Sequence, residues 1–148
     1  MQVEENFKEQ LSQAIEQEKL DIKYISLLVK DYKKFYQYNP QLVLNLACKA
    51  VGLHKDFTTP SQIKSRSNKH VLIKSLFIVY MRKNNVTTLR IGTYLGKNHS
   101  TILNSIKSFE ELREIKDKQV VLAVDLFNIL ITQNKNELCQ KNTTPQLI

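Results

Sequence analysis

Tryptophan is absent from this 148-residue chain, and glycine and proline each occur only three times. So little punctuation, with no stretch alternating apolar and polar residues as a strand would, predicts an all-α fold. The two cysteines, Cys48 and Cys139, lie far apart and outside any CxxC pair, and His54, His70 and His99 add no ligand spacing. A structural zinc needs about four Cys, His or carboxylate ligands at short spacings, so no metal or other cofactor is expected. Cys48, inside an apolar helical run, reads as a small core residue, and free thiols fit a cytoplasmic setting. The opening residues Met1–Lys8 are acidic and polar, with no basic region leading into an apolar run, so no secretory signal is expected. No apolar stretch approaches the ~20 residues that span a bilayer, and no GxxxxGK[ST] phosphate loop is present. Membrane and nucleotide are therefore not expected as partners.

The absence that carries most information is of acidic side chains. From Phe57 to Phe109, 53 residues, there is no Asp or Glu, while nine Lys or Arg occur: Lys64, Arg66, Lys69, Lys74, Arg82, Lys83, Arg90, Lys97 and Lys107. The rest of the chain holds 13 basic and 14 acidic residues, so the formal net charge of +8 comes entirely from this block. A segment that excludes acids attracts a polyanion, and nucleic acid is the usual one for a protein of 42% hydrophobic and 24% charged residues. A Lys-rich solvated surface would explain the high pI but not the complete lack of acids in one block. An anionic membrane surface fits less well, because these helices carry Ser, Thr and Asn where an interfacial helix shows a wide apolar face.

What is present reads as a run of helices. Val3, Phe7, Leu11, Ala14 and Ile15 fall at helical spacing, and a second helix runs from about Asp21 to Tyr36 with Ile25, Leu28, Val29, Tyr32 and Phe35 inward. Asn39-Pro40 ends it. A third covers Gln41–Val51, with Gly52 placed as a C-terminal cap. An irregular stretch, Leu53–Lys64, precedes a fourth helix from Ser67 to Lys83. Asn84-Asn85 turns the chain into a short fifth helix, Thr87–Leu95. Gly96 is a tight turn, and a sixth helix runs from Asn98 to Ile115. The seventh, Lys118–Thr132, places Val120, Val124, Phe127 and Ile131 on one face, and Asn134–Ile148 reads as a polar, frayed tail.

A short helix, a glycine turn and a second helix form the pattern of a helix-turn-helix. In the sixth helix Ile102, Leu103, Ile106 and Phe109 are expected to pack inward. Its first turn offers Asn98, His99, Ser100 and Thr101, the residue types that read base edges from the N-terminal end of a recognition helix. Asn98 or Ser100 would equally serve as a helix cap, but a cap does not require His99 and Thr101 as well. At the other end of the block, Ile63-Lys64-Ser65-Arg66-Ser67 reads as a basic arm suited to phosphates or a minor groove, with Ser67 capping the fourth helix.

Two runs carry a family resemblance: Lys64-Ser65-Arg66-Ser67, with Lys74-Ser75 six residues on, and Ile91-Gly92-Thr93-Tyr94-Leu95-Gly96-Lys97-Asn98-His99-Ser100-Thr101-Ile102. Together they resemble the C-terminal DNA-binding domain of DnaA, the bacterial replication initiator, over about residues 40–115. The resemblance implies a helix-turn-helix core of the DnaA C-terminal, Trp-repressor-like type, with extra helices at both ends. The corresponding division is an N-terminal helical extension (1–39), the DNA-binding domain (40–115), and a C-terminal helix with polar tail (116–148). It implies that Lys64 reaches a minor groove, with Arg66 beside it in the basic loop. It places Lys74 and Ser75 at a DNA contact of the fourth helix, and Lys97, Asn98, His99, Ser100 and Thr101 in the major groove. The chain departs from the family pattern in places. Lys stands for Arg at Lys64 and Lys74, which gives up bidentate geometry. Ser75 is shorter than the family's Gln, Asn98 replaces an acid, and one glycine of the signature pair is missing. The ATPase part of DnaA has no counterpart here.

The expected function is sequence-specific binding of double-stranded DNA at a DnaA-box-like site, in replication initiation or its regulation. The alternatives are a transcriptional regulator of a phage or mobile element, and a nonspecific basic interaction module. Catalysis is not expected. His99 and Ser100, adjacent on a helix, project about 100° apart and do not face each other. No acid in the block could orient His99 or, with Tyr94, hold a metal. The terminal helices leave open a homodimer or a protein partner.

Overall fold

The computed structural model describes residues 2–16, 22–52, 68–138 and 146–148, and every regular element among them is a helix. In chain order these are α1 (Gln2–Glu16), α2 (Ile22–Gln37), α3 (Pro40–Val51), α4 (Asn68–Lys83), α5 (Thr88–Leu95), α6 (His99–Glu114), α7 (Lys118–Gln133) and α8 (Lys135–Leu138). The all-α expectation holds. The irregular stretch 53–64, the basic-loop residues Lys64 and Arg66, the expected cap Ser67, and Cys139 lie outside the described residues. No described helix is long and apolar enough to cross a membrane.

The corners follow from local chemistry. Asn39 enters α3 in the left-handed region (φ 49°, ψ 68°), which asparagine tolerates better than most residues, and Pro40 supplies the fixed φ suited to a first helical turn. Gly52 ends α3 at φ 87°, and its N–H reaches the carbonyls of Cys48 and Lys49, as a C-terminal glycine cap should. Asp117 starts α7 by accepting from the Gln119 and Val120 amides, both at 3.1 Å.

Helix α4 is the centre of the core. From Ile73 to Met81 every residue except Lys74 is buried, the pattern of a helix packed on all sides. Helix α3 lies against it through a buried row including Val43, Leu44, Ala47 and Cys48, and α7 packs mainly on α3. In α7 the inward face is Val120, Ala123, Val124, Phe127 and Ile131, and Phe127 meets the edge of Tyr80 at 5.6 Å between ring centroids. Helices α5 and α6 pack on each other and on α4. Phe35 of α2 joins the same core, meeting Tyr94 of α5 edge-on at 5.2 Å, while Phe77 of α4 stacks on Tyr94 at 5.4 Å.

Two expectations are corrected. Leu103 does not pack inward; it is 46% exposed. At about 100° per residue, Ile102, Ile106 and Phe109 fall within roughly 60° of one another on α6, whereas Leu103 lies about 90° from the centre of that arc, at the flank of the buried face. The tail is not frayed throughout either. Lys135–Leu138 forms α8 with Leu138 buried, and Ile148 is buried and hydrogen-bonded to Asn128. A tail polar in composition still ends in Leu147-Ile148, and asparagine side chains supply the partners its backbone needs.

Burial pushes the Tyr94 hydroxyl up to about 12 from its ordinary 10.0. The folded chain therefore holds the phenol proton that the unfolded chain releases first as pH rises. Stability from this group is complete below the unfolded value and falls, by up to about 1.4 kcal/mol per pH unit, between the unfolded and folded values. Urea melts on either side of pH 10.0 should show this slope, and Tyr94→Phe should remove its share.

Candidate nucleic-acid interface

The connection from α5 to α6 is closed by two successive caps. Thr87 starts α5 by accepting the Arg90 amide at 3.2 Å. Gly96 ends it in the left-handed region (φ 68°, ψ 35°). The Lys97 N–H donates back to the Gly92 carbonyl at 2.8 Å and the Gly96 N–H to that of Thr93 at 3.4 Å, the paired bonds of a Schellman motif. Asn98 then caps α6 with extended geometry (φ −79°, ψ 166°). Its Oδ1 accepts from both the Thr101 N–H and the Thr101 hydroxyl, each at 2.8 Å.

This fold-back requires a bare backbone at Gly92. A Cβ there would stand 2.5 Å from the Lys97 carbonyl oxygen and 3.5 Å from a side-chain carbon of Ile102. Gly92 thus lets the turn, and with it the start of α6, lie directly on α5.

Lys97, Asn98, His99, Ser100 and Thr101 are all exposed around the first turn of α6. Within this cluster Asn98 and Thr101 are committed to each other, while His99 is held from α5, its Nδ1 lying 2.7 Å from the Thr88 hydroxyl. That contact occupies one ring nitrogen and turns the other edge of the imidazole away from Thr88. Further along α6 the outer face presents Leu103, Asn104 and Lys107, one and two turns beyond Ser100. Helical spacing from Ser100 is the signal that points to these three. Nothing local points to Thr88, whose partner His99 is eleven residues away in sequence.

Lys74 of α4 is partly buried. Desolvation lowers its pKa from the ordinary value, and the charge of Lys97 lowers it further. Lys74 of α4 and Lys97 of the α5–α6 turn thus repel one another, and neither enters an ion pair among the described residues. Ser75, the neighbouring candidate, is only 6% exposed, and its hydroxyl donates to the Val71 carbonyl at 2.9 Å within the same helix. Lys64 and Arg66 lie outside the described residues.

The basic block is also less uniformly outward than its sequence suggests. Arg90 is 3% exposed. Its Nε–H donates to Asp31 Oδ2 of α2 at 2.9 Å, and its guanidinium lies 6.0 Å from the centre of the Tyr32 ring. One of the nine cations is thus neutralised in the interior by an acid from outside the block. No group of three or more His, Cys, Asp or Glu side chains suited to a metal occurs among the described residues. Comparison with protein-family models, with curated proteins and with solved structures returned no match to this chain.

Proposed function

We propose that this chain binds double-stranded DNA, with α5, its glycine turn and α6 acting as a helix-turn-helix and α6 as the recognition helix. One observation carries the reading. An exposed polar first turn, Lys97–Thr101, heads a helix whose other face is anchored by Ile102, Ile106 and Phe109, and these residues all lie in the segment without acids, which ends before Glu110, Glu111 and Glu114 in the last turns of α6. Recognition helices dock in this way, with N-terminal side chains on base edges and amides toward phosphate. In this reading Lys74 and Lys97 hold the backbone, and His99, oriented by Thr88, presents Nε2 to a base edge. Ser100 and the outward Asn104 and Lys107 extend the contact along the groove. Asn98 and Thr101 build the turn that aims it.

The DnaA-like run Ile91–Ile102 favours an origin-like box as the target and a role in replication initiation or its regulation. A transcriptional regulator of a phage or mobile element would use the same geometry. The test is selection of bound sequences from a random duplex library at near-physiological salt. A short enriched motif supports specific recognition. Binding without enrichment that vanishes as salt rises would reduce the chain to a nonspecific basic module.

Two substitutions sharpen the reading. His99→Ala is expected to cost about 1–3 kcal/mol on the selected site and to relax specificity. Thr88→Val, which leaves His99 without its orienting hydroxyl, is expected to cost about 0.5–1.5 kcal/mol on the same site. Titration of each variant against selected and random duplexes separates the cases, and equal losses on both would argue against base reading by His99.

A further inference from the structure

Two asparagines hold the segment 146–148 by its main chain. Asn84 Nδ2 donates to the Gln146 carbonyl at 3.2 Å, and the Gln146 N–H donates to Asn84 Oδ1 at 2.9 Å. Asn128 Nδ2 donates to the Ile148 carbonyl at 3.0 Å, and the Ile148 N–H donates to Asn128 Oδ1 at 3.1 Å. A carboxamide carries one donor edge and one acceptor edge in a plane, as a peptide group does. Each asparagine therefore reproduces the two-bond exchange of a hydrogen-bonded residue pair in an antiparallel sheet.

The spacing has a consequence for the side chains. Residues 146 and 148 each bond to an asparagine through the main chain, the alternation an extended strand would use, and the intervening Leu147 is exposed. Ile148 is buried in the main core cluster. Asn84 is itself buried, and its Nδ2 also donates to the Tyr80 carbonyl at 2.9 Å, which fixes the carboxamide before any segment arrives. The two asparagines come from different places in the fold. Asn84 follows α4 at the corner leading to α5, and Asn128 lies on α7. Main-chain bonds that give affinity, with one apolar socket that gives selectivity, are the elements of peptide recognition by strand addition.

We propose that Asn84 and Asn128 form a peptide-binding site that reads the main chain of an extended segment and takes an aliphatic side chain at the place of Ile148. Its occupant in this structure is the chain's own segment 146–148. The site tolerates variation at position 147, because that side chain faces solvent. Tethering keeps the segment at a high effective concentration, so the intact chain is self-occupied and excludes a free peptide of the same sequence. The inference is independent of DNA binding.

The test uses the full chain carrying Ile148→Asp, whose carboxylate is excluded from the apolar socket, labelled with ¹⁵N and titrated with a synthetic peptide of residues 142–148. The side-chain amide signals of Asn84 and Asn128 are expected to shift and saturate. The unsubstituted chain should respond at least about tenfold more weakly, because its own segment competes. Adding Asn128→Asp, read at the Asn84 side-chain amide signals that remain, should abolish the response, since a carboxylate accepts from the N–H but repels the carbonyl. The proposal fails if the Ile148→Asp chain keeps its helical circular dichroism yet shows no shifts, or if Asn128→Asp leaves the shifts of the Asn84 side-chain amide unchanged. Should Ile148→Asp unfold the chain, amide exchange of the unsubstituted protein decides. Gln146 and Ile148 amides protected in the native chain and released by Asn128→Asp sustain the proposal, and free-peptide exchange rates at both positions overturn it.

Discussion

Asp31→Ala is expected to cost about 3–5 kcal/mol of folding stability, out of proportion to a surface carboxylate. The acid itself is 29% exposed, but its partner Arg90 is 3% exposed and joined to it by a single Nε–H to Oδ2 bond of 2.9 Å. Arg90 Nη1 has no hydrogen-bond partner, so the guanidinium is already under-satisfied. Removing Asp31 would leave a full charge buried beside Tyr32 with nothing to offset its lost hydration. The converse substitution behaves differently. Arg90→Met leaves Asp31 at a position water can reach, and the methionine fills the space of the arginine stem, so its cost is expected to stay below about 1.5 kcal/mol. Urea unfolding of the two single variants and of Asp31→Leu/Arg90→Met checks this. Equal costs for Asp31→Ala and Arg90→Met would mean that the pair is stabilising in itself and that burial of the arginine is not the deciding factor.

Gly92→Ala should destabilise the chain by about 3 kcal/mol, the upper end for overpacking, although helix propensity alone favours alanine by about 1 kcal/mol. The added Cβ meets a backbone oxygen, that of Lys97, at 2.5 Å, and a carbonyl held in a capped turn cannot rotate aside as a side chain would. Gly96→Ala is the internal comparison. A Cβ at Gly96 meets nothing within 4 Å, and the cost there is only the left-handed backbone, about 1–2 kcal/mol. Under the proposed function Gly92→Ala also displaces Lys97 and the first turn of α6, so affinity for the selected duplex should fall by more than tenfold while Gly96→Ala loses less. Thermal or urea melts give the order of stabilities, and a reversed order would mean that the turn relaxes freely around the new methyl group.

Much of the fold was legible because its signals are local. Apolar residues at helical spacing located the helices. Gly52, Gly96 and Asn98 announced their caps, and the face Val120, Val124, Phe127 and Ile131 is buried as its spacing requires. The turn residues Lys97–Thr101 were legible for the same reason, since capping and exposure at a helix start depend on a few neighbours in sequence. Leu103 marks the limit of such signals: apolar character alone does not fix inward direction, and only the angular position on the packed helix separates it from Ile102. Ser75 illustrates the opposite limit. A polar side chain on α4 satisfied its hydroxyl on Val71 of its own helix, and the packing of α3, α5, α6 and α7 around that helix then enclosed it.

By itself, the sequence determined the helical run, the positions of its caps, and the concentration of positive charge in a block free of acids, because periodicity, turn chemistry and composition are properties of neighbouring residues. Tertiary structure decided which members of that block face outward. It drew Arg90 inside to Asp31, brought Lys74 under the influence of the Lys97 charge, tied His99 to Thr88, and brought Asn84 and Asn128 to the segment 146–148. Each of these depends on distances between residues far apart in the chain, and such distances exist only once the helices have packed.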